Sequence, residues 1–195
     1  MARIGYKKAK YNFIDADAKK YAALEGSKVP CLEKVIDEKF SAEYNSAELY
    51  ADDSLAETDY SFKKGGLAIT VAHDEDERDA KLMGNTISEG EVVQTIADTA
   101  PEVGYGHIVT KMIGGVKKYK VEFFPRVKFT KITTDAKTRG ESVEFGTTAI
   151  EGTVYPLDAD FNGMKAGIWE KHQTFDTEAE AEEYLDECLT PVAVV

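Results

Sequence analysis

The stretch Tyr105-Gly-His-Ile-Val-Thr-Lys-Met-Ile113, Gly114-Gly115, Val116-Lys-Lys-Tyr-Lys-Val-Glu-Phe-Phe124 decides the fold class. Two runs rich in β-branched and aromatic residues flank a Gly-Gly pair, whose freedom at positive φ suits the tight turn of an antiparallel hairpin. Pro125 follows at once. Proline cannot donate to a ladder, so the strand is expected to lie at an edge or to be bulged there. It resumes over Val127–Ile132, Lys137–Gly140 reads as a turn, and Val143–Tyr155 as a further strand with Val143, Phe145, Thr147 and Ala149 on one face. Ile168–Phe175 reads as a last strand, carrying the only tryptophan, Trp169.

Toward the N-terminus the same β character continues. Residues 4–14 read as a first strand, followed by a polar loop with Asp15-Ala-Asp17 and Gly26-Ser27. Val35–Tyr50 alternates, with Phe40, Ala42 and Tyr44 on one face and a register change near Asn45. Residues 51–59, Ala-Asp-Asp-Ser-Leu-Ala-Glu-Thr-Asp, read as an acidic loop. Tyr60–Val71 regains alternation at Leu67, Ile69 and Val71, and Gly65-Gly66 before it suggests a bulge or a close backbone approach. Val92–Ile96 reads as a short strand.

Two helices interrupt this pattern. Residues 74–83 crowd acidic side chains into a first turn, where the helix dipole favours them, and Gly84 is placed to end the helix. Near the C-terminus, Thr177 and Glu180 form a capping box. Ala181, Tyr184, Leu185, Cys188 and Leu189 fall on one apolar stripe, and Thr190-Pro191 stops the helix. Its opposite face, with Glu178, Glu182, Glu183 and Asp186 among its members, holds no lysine or arginine. It reads either as a solvated acidic face or as a surface awaiting basic partners.

The 195 residues carry 24 basic and 36 acidic side chains, a formal net charge of −12, and 43% hydrophobic residues. That is one domain's worth of chain with enough apolar content for a core. Charge is unevenly spread: net +3 over residues 1–42, −11 over 43–102, +7 over 110–140 and −11 over 141–195. The acidic total argues against wrapping nucleic acid, whose phosphates would be repelled. The basic stretch holds Lys117, Lys118, Lys120, Arg126, Lys128 and Lys131. Its readings are a nucleic-acid patch, a solvated strand face, or complementarity to acidic surface on the same chain or a neighbouring copy. The last explains the alternation of sign best, and makes these six a candidate subunit interface.

Chemical signals are sparse. The two cysteines, Cys31 and Cys188, stand in no metal-ligand spacing, and no apolar run approaches a membrane span or a signal peptide. His73, His107 and His172 show neither triad order nor an H-x-x-x-H spacing; His107 reads as one position of a strand face. No phosphate-binding glycine loop or nucleophile elbow occurs. Asp15-x-Asp17 lacks the other positions of a calcium loop, and Asp52, Asp53, Glu57 and Asp59 read as solvated carboxylates. No enzyme, metal or cofactor is expected.

A family resemblance runs along almost the whole chain. It is carried by Ala47-Glu-Leu-Tyr-Ala-Asp-Asp53, Ala56-Glu-Thr58, the strand Leu67-Ala-Ile-Thr-Val71, Ala80-Lys-Leu-Met-Gly-Asn85 and Val103-Gly-Tyr-Gly106. Lys118-Tyr-Lys120, Phe129, Thr138-Arg-Gly-Glu-Ser-Val-Glu-Phe-Gly-Thr147, Ile150-Glu-Gly-Thr-Val154 and the opening Ile4-Gly-Tyr-Lys-Lys8 continue it. In these segments and their order the chain resembles the major tail proteins of long-tailed, non-contractile bacteriophages that infect Gram-positive bacteria. It departs at Ser54, where glycine is expected in relatives.

The resemblance implies a mainly β (α+β) fold: a β-sandwich with a packed short helix, a C-terminal helix and extended loop or arm segments. It implies one tail-tube domain over residues 1–195, with an N-terminal arm over about 1–34 and an inter-ring loop over about 50–59, where Tyr50, Asp52, Asp53, Glu57 and Asp59 are the candidates. It further implies six-subunit rings stacked into a tube that holds a tape-measure protein and later conducts double-stranded DNA, with a tail-tip initiator and a tail terminator as further partners. The protein would then be made in the host cytoplasm and reside in the virion, without inserting in a membrane. An acidic lumen would keep phosphates from sticking. The rival expectation is a monomeric β-sandwich module that binds carbohydrate or a host surface, with Trp169 or Tyr155 as its aromatic platform.

Overall fold

A computed structural model describes residues 2–24, 26, 28–51, 54–134 and 146–192, with the backbone alone for 2, 47–51 and 54–59. The chain is mainly β with two helices. Its centre is the hairpin foreseen from Gly114-Gly115: β8 (Glu102–Ile113) and β9 (Val116–Thr134) pair antiparallel from Ile113↔Val116 to Glu102↔Lys128. Both glycines take positive φ, 58° and 82°.

The remaining strands are added around this pair. On the far side of β8 lies β1 (Ala2–Asp15), so the N-terminal stretch expected as an arm is over this length a strand paired into the sheet. β2 (Lys20–Tyr21) and β3 (Cys31–Leu32) flank β1. On the far side of β9 lie β10 (Thr148–Val154), then β5 (Ser54–Val71) and β4 (Val35–Ala51), giving the order β2-β1-β8-β9-β10-β5-β4. β11 (Lys171–Phe175) pairs with residues 119–123 of β9.

Of the two expectations for Pro125, an edge or a bulge, the second holds: Val103↔Val127 and Tyr105↔Phe124 leave Pro125 and Arg126 of β9 opposite Gly104 alone. β11 accompanies β9 up to Phe123 and β10 joins from Val127, so Pro125 occupies the changeover between two neighbours, where no N–H is required. A register shift between Val103 and Tyr105 on the facing strand marks the same point.

The two layers expected of a sandwich are the two halves of this one continuous sheet. Tyr11, Val103 and Tyr105 from one half share a core with Leu67, Ile69 and Ile150 from the other, Phe124 and Phe129 of β9 lie in the same core, and Leu82 of α1 (Asp76–Met83) adds to it. A second core lies on the other face of β8 and β9. There Ile108, Val121 and Phe123 meet Ala181, Leu185 and Leu189 of α2 (Glu178–Leu189), together with Tyr21, Leu157 and Phe161. Burial of two leucines from one helix contributes about 1.5–3 kcal/mol each.

α2 starts, and both helices stop, where the sequence suggests; α1 begins at Asp76, two residues later than expected. Glu180 N–H donates to Thr177 Oγ1 at 3.3 Å and Thr177 N–H to Glu180 Oε2 at 3.2 Å, completing the capping box. Gly84, at φ 73°, closes α1 in the left-handed conformation.

Several boundaries differ from expectation. The stretch 54–59 is strand, not loop: Ala47↔Asp59, Leu49↔Glu57 and Ala51↔Ser54 continue the β4–β5 ladder. No glycine or proline interrupts residues 45–64, so the sequence offers the pairing no breaker. Val143 and Phe145 fall outside the described residues. Within β10, Thr148, Ile150, Gly152 and Val154 are the buried positions, so Ala149 lies on the opposite face. Trp169 precedes β11 rather than lying in it. The short strand near Val92 is half of a small separate hairpin, β6 (Thr86–Ser88) with β7 (Glu91–Val93).

The Val103-Gly-Tyr-Gly106 segment has a packing reason. A Cβ on Gly104 would stand 2.5 Å from the fully buried Tyr21 ring, and one on Gly106 would stand 2.6 Å from Leu185 Cδ1. Tyr21 is in turn tied by a 2.9 Å hydrogen bond from its hydroxyl to the Pro125 carbonyl, so it has little room to yield. Gly104→Ala is therefore expected to destabilise the fold by about 1–3 kcal/mol, read as a lowered urea midpoint with an unchanged slope.

Candidate functional site

The two charged surfaces singled out in the sequence find many of their partners inside the chain. Along β1, a bulge between Lys7 and Lys10, with Lys8 at φ 53°, places three cations beside α2. Lys7 reaches Glu178 at 2.8 Å, Lys8 reaches Glu182 at 3.3 Å, and Lys10 reaches Glu182 at 2.9 Å and Asp186 at 2.6 Å. The acidic helix face thus has basic partners already, supplied by the first strand; Glu183 has no ion pair among the described residues. Lys10 is the anchor, its side chain only 9% exposed beneath the helix. Burial opposes its charge, yet the hydrogen bonds to Asp186 and Glu182 outweigh it, so its pKa is raised. Glu182 is lowered, chiefly by the hydrogen bond from Lys10.

The basic stretch is not one patch. It runs the length of β9 and is divided among several acidic neighbours. Lys118 pairs with Asp176, Lys120 with Glu122 at 2.6 Å, and Lys131 with Glu151 at 3.8 Å. Arg126 makes a two-pronged contact with Glu102, 2.9 Å on each arm, and reaches Asp158 at 3.0 Å. Lys117 and Lys128 have no ion pair among the described residues. Complementarity within the chain therefore accounts for four of the six.

Of the candidate loop residues, Tyr50, Glu57 and Asp59 have their backbones in the β4–β5 ribbon, while Asp52 and Asp53 lie outside the described residues. The ribbon is long and sparsely supported. β10 pairs with β5 only over Gly65–Val71, and β4 has no ladder partner besides β5 among the described residues. Tyr44 and Tyr60 at its root are 55% and 66% exposed. Lower down, Phe62, Trp169, Phe40 and Phe124 form one aromatic stack. Trp169 lies 4.1 Å from Phe62 and 5.9 Å from Phe40, both nearly parallel. Its ring is thus packed within the protein while remaining half-buried. Gly65 makes the stack possible, because a Cβ there would sit 2.3 Å from the Phe40 ring.

Sequence reading missed a buried polar cluster between β1, β4, β8 and β9. Glu38 accepts hydrogen bonds from the hydroxyls of Tyr6 and, at 2.6 Å, Tyr105. Burial first, then the Glu38 charge, raises the Tyr6 pKa well above its usual value; burial does the same to Tyr105. Both phenols therefore stay protonated as donors. Glu122 gathers Lys120, Arg3 at 3.0 Å and His107 at 3.2 Å. Burial would raise its pKa, but the hydrogen bonds from His107 and Lys120 hold it well below the carboxylate range. Only the odd placement of charged or polar residues in alternating strands (Glu38, His107, Glu122) could have flagged this cluster.

Among the described residues no group of three or more His, Cys, Asp or Glu side chains could hold a metal ion. Both cysteines are free, and among the described residues no helix is long and apolar enough to cross a membrane. No protein-family model matches the sequence, and neither does any curated protein.

Removing the Lys10 cation should leave Glu182 and Asp186 crowded on one helix face. Lys10→Gln is expected to cost about 1–2 kcal/mol at neutral pH, between the values for exposed and buried pairs. Because the folded-state pKa of Glu182 is depressed, its share of this stabilisation is present above the unfolded carboxylate value. It is lost as pH falls through the folded one. Chemical denaturation of both proteins across the acid range should show the difference shrinking below about pH 4.

Proposed function

We propose that this chain is a structural virion protein, the subunit of a phage tail tube, that assembles with copies of itself into stacked hexameric rings. The observation that carries the reading is the β4–β5 ribbon: strands of 17 and 18 residues that outrun the sheet and, among the described residues, leave one long edge of β4 without a ladder partner. A two-stranded ribbon is marginal alone in water, and a long open edge invites pairing with another chain. Pairing of such edges between subunits converts the liability into a continuous wall. The family resemblance of the sequence points the same way, and the mainly β fold is the kind that it implies.

On this reading the tube encloses a tape-measure protein and later passes double-stranded DNA without binding it. A tail-tip initiator starts polymerisation and a terminator ends it. The net charge of −12 keeps unassembled subunits apart and repels phosphate. Lys120 and Arg126 are committed to neighbours within the chain, so contacts between copies fall to the exposed ribbon and to cations such as Lys117 and Lys128.

Two experiments test this. Purified protein at high concentration, alone and seeded with tail-tip complexes, should show rings or hollow tubes by negative-stain microscopy. Replacing residues 46–60 by a two-residue Asn-Gly turn, which keeps Asn45 opposite Ser61, should leave a folded monomer by circular dichroism and abolish the tubes. Tubes from the shortened protein, or none from the intact one even with seeds, would overturn the proposal. In the same assay, Lys117→Glu with Lys128→Glu should reduce assembly at least about tenfold with the fold unchanged.

A further inference from the structure

The segment between α1 and β8, residues 84–101, carries the β6–β7 hairpin beside α1 and joins no strand of the main sheet. It presents three large apolar side chains to water: Ile87 at 38% exposure, Val93 at 42%, and Ile96 in full. Single exposed residues of this kind are ordinary, but three within ten positions need a reason. Ile96 is held there by an ordered turn. The Thr95 N–H donates to Asp98 Oδ2 at 2.8 Å and the Thr95 hydroxyl to Asp98 Oδ1 at 2.6 Å, while the Asp98 N–H returns to the Thr95 carbonyl at 3.2 Å. Isoleucine is not among the residues that such turns favour, so turn chemistry does not account for it. The same segment holds Glu89, Glu91 and Asp98 but no lysine or arginine.

The chain also carries a socket of the matching kind. A groove of about 600 Å³ opens over Tyr11 and Phe13 of β1, with Leu24 and Pro30 among its apolar lining and Lys28 and Lys81 among its charged residues. A second hollow adjoins it at Cys31 and Glu33 and reaches Lys34. Lys81 pairs with Glu77 at 2.6 Å, whereas Lys28 and Lys34 have no ion pair among the described residues. The volume suits a short segment rather than one side chain. The geometry points to the Val93–Ala97 turn of one copy as the occupant of this groove on a second copy, with Ile96 on the apolar lining and Glu89, Glu91 and Asp98 toward Lys28 and Lys34.

Two features assign the groove to a second copy. An apolar patch and a complementary pocket elsewhere on the same molecule join copies to one another. Charge adds direction, because an acidic segment without cations meets a groove whose two unpaired lysines outnumber Glu33. The turn is already ordered by its own hydrogen bonds, so little conformational freedom is lost when it docks. This inference rests on the reading of the chain as a subunit that associates with its own copies. It adds a contact separate from the β4 edge and from Lys117 and Lys128.

Two single-cysteine proteins test it, both with Cys31→Ala and Cys188→Ala to remove the native thiols. One carries Ile96→Cys; the other carries Ala23→Cys, at an exposed position of the groove, and a size tag. Neither chain holds both positions, so a heterodimer linked by a short bismaleimide reports contact between copies. Its yield should exceed at least about tenfold that from Val116→Cys, another exposed apolar position, mixed with the same groove protein. Lys28→Glu with Lys34→Glu in the groove protein should lower the yield about threefold or more. Native protein labelled with ¹⁵N gives a second reading that needs no variant: on raising its concentration, amide signals of Val93–Asp98 and of Tyr11–Phe13 should shift together. A heterodimer no more abundant than with Val116→Cys, or shifts that leave either surface unmoved, would overturn the inference. Rings or tubes from the native protein would then still uphold the tail-tube reading, and a strong heterodimer without any tubes would sink that reading and not this one.

Discussion

Burial of β8 and β9 on both faces is the constraint on which the rest of the molecule depends. A strand covered on two sides needs a layer on each. One is supplied by the far half of the same sheet, folded over so that Leu67, Ile69 and Ile150 reach Tyr105 and Val103; the other is supplied by α2. Close packing then dictates details that look arbitrary in isolation. Gly104 and Gly106 leave room for Tyr21 and Leu185, and Pro125 falls where β9 exchanges one neighbour for another.

Two-sided burial also forces polar groups inside, and each must be satisfied there. Asn12, on the α2 side of β1, donates to the carbonyls of Ala22 and Leu189, joining the first strand to the end of the last helix. Lys10 neutralises two carboxylates of the same helix. On the other face Glu38, with Tyr6 and Tyr105, and Glu122, with Lys120, find partners at a seam that no ladder among the described residues closes. The alternation of charge along the sequence is thus largely an internal matter, in which distant segments of opposite sign are brought together.

The least supported part of the sheet lies at the periphery. Among the described residues the β4–β5 ribbon has neither a second ladder partner for β4 nor a covering helix, and it carries exposed tyrosines at its root. This contrast between a body with paired charges and a ribbon with an open edge is the physical basis for reading the protein as a subunit of something larger. Assembly would complete the ribbon as α2 completes the outer face of the sheet.

The sequence by itself determined the elements whose signals are local. The Gly114-Gly115 hairpin, the Thr177–Glu180 capping box, the Gly84 helix stop and the alternation of Leu67, Ile69 and Val71 each follow from residues within a few positions of one another. It also marked the special backbone at Gly65, though not that the Phe40 ring was the cause. Tertiary structure alone decided that Lys10 belongs to α2, that His107 lies between Glu38 and Glu122, and that residues 54–59 extend a strand rather than form a loop. Those pairings join residues tens to more than a hundred positions apart, or depend on which strand a segment finds beside it. No local propensity encodes a partner; only the register of the folded sheet brings one within reach.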